Sequence, residues 1–106
     1  MTSDSIDRQN AWEVTTGDRP AGLEIVLLKR TLVLPWSQFL YAEGTDDEVR
    51  LCFSTHDIIV GGSHLRSLLA ALSAQRVTLL REPVSAEVFE SGSAPHIIRI
   101  SAEKVE

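Results

Sequence analysis

The residues able to do chemistry in this chain of 106 are few: three histidines, one cysteine, and serines and carboxylates spread along its length. They crowd most closely in Cys52-Phe53-Ser54-Thr55-His56-Asp57 and again in Gly61-Gly62-Ser63-His64-Leu65-Arg66. Two glycines before a serine suit the opening of a helix, where unpaired backbone N–H groups and the helix dipole favour an anion. Gly61, Gly62, Ser63, His64 and Arg66, with His56 nearby in sequence, are therefore the candidate ligand-binding residues, for a phosphate or a carboxylate. The segment lacks the Lys-[Ser/Thr] of a P-loop and the glycine spacing of a dinucleotide fingerprint. The simpler reading is a tight strand-to-helix turn with Ser63 as helix cap.

Ser54 or Ser63 with His56, His64 and Asp57 would be the raw material of a hydrolytic site. Such a site needs a base within hydrogen-bond reach of the hydroxyl and a carboxylate behind the base. No Gly-x-Ser-x-Gly elbow is present, and Cys52 has no sequence neighbour that would generate a thiolate. No catalytic residue is assigned. Zinc asks for three or four ligands in constrained geometry, and Cys52, His56, Asp57 and His64 do not fall into such a spacing. The acidic run Glu43, Asp46, Asp47 and Glu48 lacks the periodicity of a calcium loop and reads as a solvated hairpin tip. Neither a metal nor a cofactor is expected.

The formal net charge of −5 opposes a nucleic-acid clamp or an anionic-membrane binder. Basic residues stand singly apart from Lys29-Arg30, without aromatic interleaving. Apolar runs reach four or five residues, far short of the roughly 20 that cross a bilayer. The polar stretch Met1 to Asn10 does not read as a signal peptide, and a single cysteine forms no internal disulfide. A cytoplasmic protein is the expectation.

The elements that must position these residues follow from periodicity. Residues 1–22 show neither helical nor strand period and read as a polar tail, mobile to about Asn10, in which Trp12 and Val14 alone suggest docking. A single domain then runs over 23–106. Leu23–Leu28 and Thr31–Leu34 are strand-like. Lys29-Arg30 between them is ill suited to the positive φ of a tight hairpin turn, which predicts one long bent or bulged strand. Residues 36–42 suit a strand or a short helix. Val49, Leu51 and Phe53 alternate with Arg50 and Cys52, and Ile58-Ile59-Val60 follows a turn, giving a meander that Gly61-Gly62 should end.

Leu65, Leu68, Leu69 and Leu72 form one stripe of a helix over about 63–75. Its opposite face, Ser67, Ala70, Ala71 and Ala74, is small enough for close approach by a partner or the tail. Arg76–Leu80 and His96–Ser101 read as further strands. The connection 81–95 lies between them, with Val88 and Phe89 directed to the core.

These elements predict an α+β fold: a mainly antiparallel sheet of five to seven short strands with one helix packed on it. A small open barrel of pleckstrin-homology-like arrangement is the alternative. Several strands carry apolar residues on both faces, as in Leu23, Ile25 and Leu27 against Val26 and Leu28. Some further layer must cover the second face: the tail with Trp12, the 81–95 connection, or another subunit. The functional expectation is a non-enzymatic interaction domain that self-associates, a two-fold dimer being the commonest form. The alternative is an anion-binding or hydrolytic site near Gly61-Gly62-Ser63-His64.

Overall fold

The computed structural model describes residues 12–83 and 95–105. In chain order these form β1 (Trp12–Val14), β2 (Gly22–Val26), β3 (Thr31–Pro35), a 3-10 turn (Trp36–Gln38), β4 (Phe39–Gly44), β5 (Glu48–Phe53) and β6 (His56–Ser63). Then come α1 (Arg66–Ser73), β7 (Val77–Arg81) and β8 (His96–Lys104). The fold is α+β, as the residue pattern predicts, but its strands are divided between two four-stranded sheets, ordered β1-β7-β2-β3 and β4-β5-β6-β8. Neither sheet closes into a barrel. All the pairings are antiparallel except β2 with β7.

The split into two sheets answers the question of the second face. Leu23, Ile25, Leu34, Val77 and Leu80 of the first sheet share one buried cluster with Val49, Leu51, Phe53, Ile58, Val60, Ile97 and Ile100 of the second. Leu68 and Leu72 of α1, with Leu65 just before it, complete it. Each sheet thus supplies much of the cover that a single sheet would need from elsewhere. β3 ends at Pro35, still paired with Gly22, and the chain passes from there into the second sheet. Trp36 N–H reaches back to the Ala21 carbonyl at 3.0 Å. The Trp36 indole turns inward, donates Nε1–H to the Val77 carbonyl at 3.3 Å, and stands edge-on to Phe39 with centroids 5.0 Å apart. Residues 36–42 are consequently both of the expected alternatives in turn, a helical turn and then a strand.

Three expectations are corrected. Leu23–Leu28 and Thr31–Leu34 do not form one bent strand; β2 and β3 are a hairpin, with Leu27 N–H bonded to the Arg30 carbonyl at 2.8 Å. Positive φ among described non-glycine residues occurs only at His64 and Gln75, so this turn avoids the conformation that Lys29 and Arg30 resist. Gly61-Gly62 does not end its strand: β6 continues to Ser63, with a bulge opposite the glycines. A Cβ on Gly62 would lie 2.1 Å from the His96 carbonyl oxygen, so the missing side chain lets β8 close in. Ser63 is the last residue of that strand and not a helix cap.

The leucine stripe is as expected, with Leu65, Leu68 and Leu72 buried and Leu69 half-buried. On the other side of α1, Ala71 packs against the core while Ser67, Ala70 and Ala74 stay exposed. Trp12 is docked: β1 pairs with β7, and the indole packs on the cluster. The mobility expected up to Asn10 and the core contacts expected of Val88 and Phe89 lie outside the described residues.

Candidate functional site

The start of α1 is held by a hairpin that arrives from twenty residues earlier. At the tip between β4 and β5, Thr45 N–H bonds the Glu48 carbonyl at 2.8 Å, and Asp47 N–H bonds Thr45 Oγ1 at 3.1 Å. This fixes Asp46 and Asp47 against the chain leaving β6. Gly62 N–H donates to the Asp47 carbonyl at 3.0 Å, and Leu65 N–H to the Asp46 carbonyl at 2.9 Å. Arg66 N–H donates to Asp46 Oδ1 at 3.2 Å, and its Nε lies 3.8 Å from the same oxygen. A carboxylate therefore already occupies the helix start, in the place foreseen for an anionic ligand. An exogenous anion would have to displace Asp46. Local pattern could not reveal this, because a cap is normally supplied by the residue just before its helix.

The remaining candidates separate. His56 begins β6 and His64 follows its end, so the eight residues of that strand hold them apart, at about 3.3 Å per residue. His64 is exposed, with φ of 55°. Ser54 donates its hydroxyl to Gln38 Oε1, His56 Nδ1 meets Thr55 Oγ1 at 2.9 Å, and Asp57 is ion-paired to Arg50 at 3.0 Å. Serine, histidine and carboxylate each have a different partner, and no proton relay links them. Ser63 pairs with His96 of β8. Among the described residues no group of three or more His, Cys, Asp or Glu side chains converges as metal ligands would.

The outer face of the second sheet carries a polar ladder instead. Cys52 stands between Tyr41 of β4 and Asp57 of β6 across the strands. A hydrogen bond to Cys52 holds the Tyr41 phenol above its ordinary value of 10.0, reinforced by the Glu43 carboxylate. Asp57, hydrogen-bonded to Arg50, raises the guanidinium likewise.

What the surface does concentrate is apolar side chains at sheet edges. Leu28, Val33, Leu40, Tyr41 and Ile98 are large and exposed. Leu40 and Ile98 are the extra residues of bulges: Phe39 opposes Phe53 while Tyr41 opposes Cys52, and Arg99 opposes Gly61 while Ile97 opposes Gly62. A bulge turns its extra residue off the inward–outward alternation. Val33, at 68%, is the most exposed of these side chains and sits at the centre of β3 in a regular ladder. No helix among the described residues is long and apolar enough to cross a membrane. Compared with protein-family models, with curated proteins and with solved structures, the chain matches none.

Proposed function

We propose that the protein is a small, non-enzymatic interaction domain that self-associates. The observation that carries this reading is the pair of edge strands β3 and β4. They belong to the two different sheets and are joined by the short Trp36–Gln38 turn. Leu28, Val33, Leu40 and Tyr41 are all exposed on or beside those strands. Exposed apolar groups on and beside edge strands favour association over catalysis, which wants polar groups converging in a cleft. The single cysteine, Cys52, is buried and unpaired, which suits the reducing cytoplasm where we place the protein. Sedimentation equilibrium at micromolar concentration tests the reading. A mass above 11.7 kDa that falls on dilution is expected, and an invariant 11.7 kDa species overturns it.

A further inference from the structure

Among the described residues four strands stand at sheet edges, and three of them meet their neighbour through a register shift: β1 on β7, β4 on β5, and β8 on β6. Bulges of this kind blunt an edge against pairing with another chain, as do charged side chains along it. β3 has neither device. It pairs with β2 in unbroken register from Thr31 to Pro35, and its five residues, Thr-Leu-Val-Leu-Pro, are uncharged.

The direction of its free backbone groups follows from the bonds at either end. Leu27 N–H to Arg30 carbonyl and Trp36 N–H to Ala21 carbonyl fix the alternation. Leu32 and Leu34 therefore bond inward to β2, while Thr31, Val33 and Pro35 turn their backbone groups outward. Pro35 offers a carbonyl there and no N–H.

We propose that β3 is the self-association strand, pairing antiparallel with β3 of a second copy about a two-fold axis through Val33. This rests on the self-association reading above. The strand is complementary to itself. In this register Val33 faces Val33 and Thr31 faces Pro35 of the other copy. Two bonds join the Val33 pair, and each Thr31 N–H reaches a Pro35 carbonyl, so the absent proline N–H costs only the two remaining positions. Leu32 of one copy then lies beside Leu34 of the other on the core side, in the closer, non-hydrogen-bonded type of pair. The first sheets of both copies become one continuous sheet, the mode by which extended segments add to open edges.

Charge does not oppose the contact. Glu24, beside Val33 on β2, is the nearest outward carboxylate in that row. Across the axis the two copies of it stand three strand spacings apart, about 14 Å, beyond the roughly 8 Å screening length at physiological salt.

The test combines mass with position. Wild-type protein should sediment at twice 11.7 kDa at micromolar concentration. Val33→Pro removes an N–H that points away from β2, and Val33→Lys places a charge on the axis. Each should give a folded monomer, with the lysine variant deciding should the proline variant fail to fold, while Ile98→Lys on β8, an edge of the second sheet, remains dimeric. On a Cys52→Ser background, Val33→Cys should be joined between chains by a short bis-maleimide, and Ile98→Cys should not. A dimer that survives both Val33 variants, or that cross-links through Ile98→Cys instead, overturns the β3 assignment and leaves self-association standing. A monomeric wild type overturns both. A Val33 amide protected from exchange in that monomer would mean that the chain covers its own edge.

Discussion

The two sheets have the same number of strands but reach it by different routes. In the second, β4, β5 and β6 form two successive hairpins, β5 pairing with β4 and β6 with β5, and only β8 arrives from a distance. In the first, β2 and β3 form one hairpin, while β7 arrives only after the meander and α1, and joins β2 in parallel. Local pairing closes short loops and leaves a record in sequence alternation; distant pairing closes long ones and leaves little. The edges differ as well. Both edge strands of the second sheet are bulged, whereas in the first β3 is regular and has no outer partner among the described residues. Order within a sheet and defence of its rim are thus separate properties, and here they are most complete in the same sheet.

The comparison breaks if the two sheets do not share one core. Leu68 and Leu72 are fully buried, while Ser67, just before Leu68 in sequence, is exposed. Leu68→Ala or Leu72→Ala should cost about 2–5 kcal/mol by urea unfolding, with Ser67→Ala near zero. One transition should report loss of both sheets, because both rest on the same cluster. Small, equal effects at all three positions would show that the leucine stripe is misplaced, and two separate transitions would show two independent cores.

The bulge in the second sheet can be set against an open loop of the first. A Cβ at Gly62 meets the His96 carbonyl oxygen at 2.1 Å, whereas at Gly17 its nearest neighbour is Thr15 Oγ1 at 3.8 Å. Gly62→Ala should therefore force β6 from β8 and destabilise by about 1–3 kcal/mol. Gly17→Ala should be close to neutral. Faster amide exchange confined to β8 in the Gly62 variant would sharpen the assignment; equal stability of the two variants would refute the close approach.

How much of this was legible in sequence follows the same division. The meander, the leucine stripe and the helix are local periodicities, and the residues concerned occupy the expected elements. The β2–β3 hairpin escaped because Lys29-Arg30 excludes only a turn of positive φ, and the chain uses another. β6 outran Gly61-Gly62 because a glycine pair can admit a neighbouring strand as well as stop its own. Strict alternation would set Leu40 on the side of Trp36 and Ala42, but a bulge removes it from that row. Of the site, His56 opens β6 and His64 lies in the bend between β6 and α1. The Asp46 contact joins residues 46 and 66, and no pattern within either segment encodes it.

That contact is also where the hairpin tip and the helix hold each other. Asp46→Ala removes the acceptor from Arg66 N–H and should lower stability by about 0.5–2 kcal/mol, the usual range for a lost N-cap. Asp46→Asn keeps a side-chain oxygen and should recover most of the loss. Ser63→Ala, at the residue that sequence alone nominates as the cap, should do little. If Ser63→Ala proved the costlier change, the helix would be capped locally after all.

The smallest effect lies on the outer face of the second sheet and can be read without unfolding the protein. Tyr41 is the only tyrosine in the chain, so phenolate absorbance reports it alone. The hydrogen bond to Cys52 is the largest cause holding its pKa above 10.0. Cys52→Ala should move the titration midpoint back down toward that ordinary value. In the folded protein the phenol retains its proton at pH values where the unfolded chain has begun to release it. This contribution to stability is therefore full below the unfolded pKa and is lost as pH rises through the folded one. The alkaline decline should be shallower once Cys52 is alanine, because less of the proton's affinity depends on the fold. A Tyr41 midpoint unmoved by Cys52→Ala would detach the phenol from the thiol and leave Glu43, the neighbouring carboxylate, as the charge to remove next.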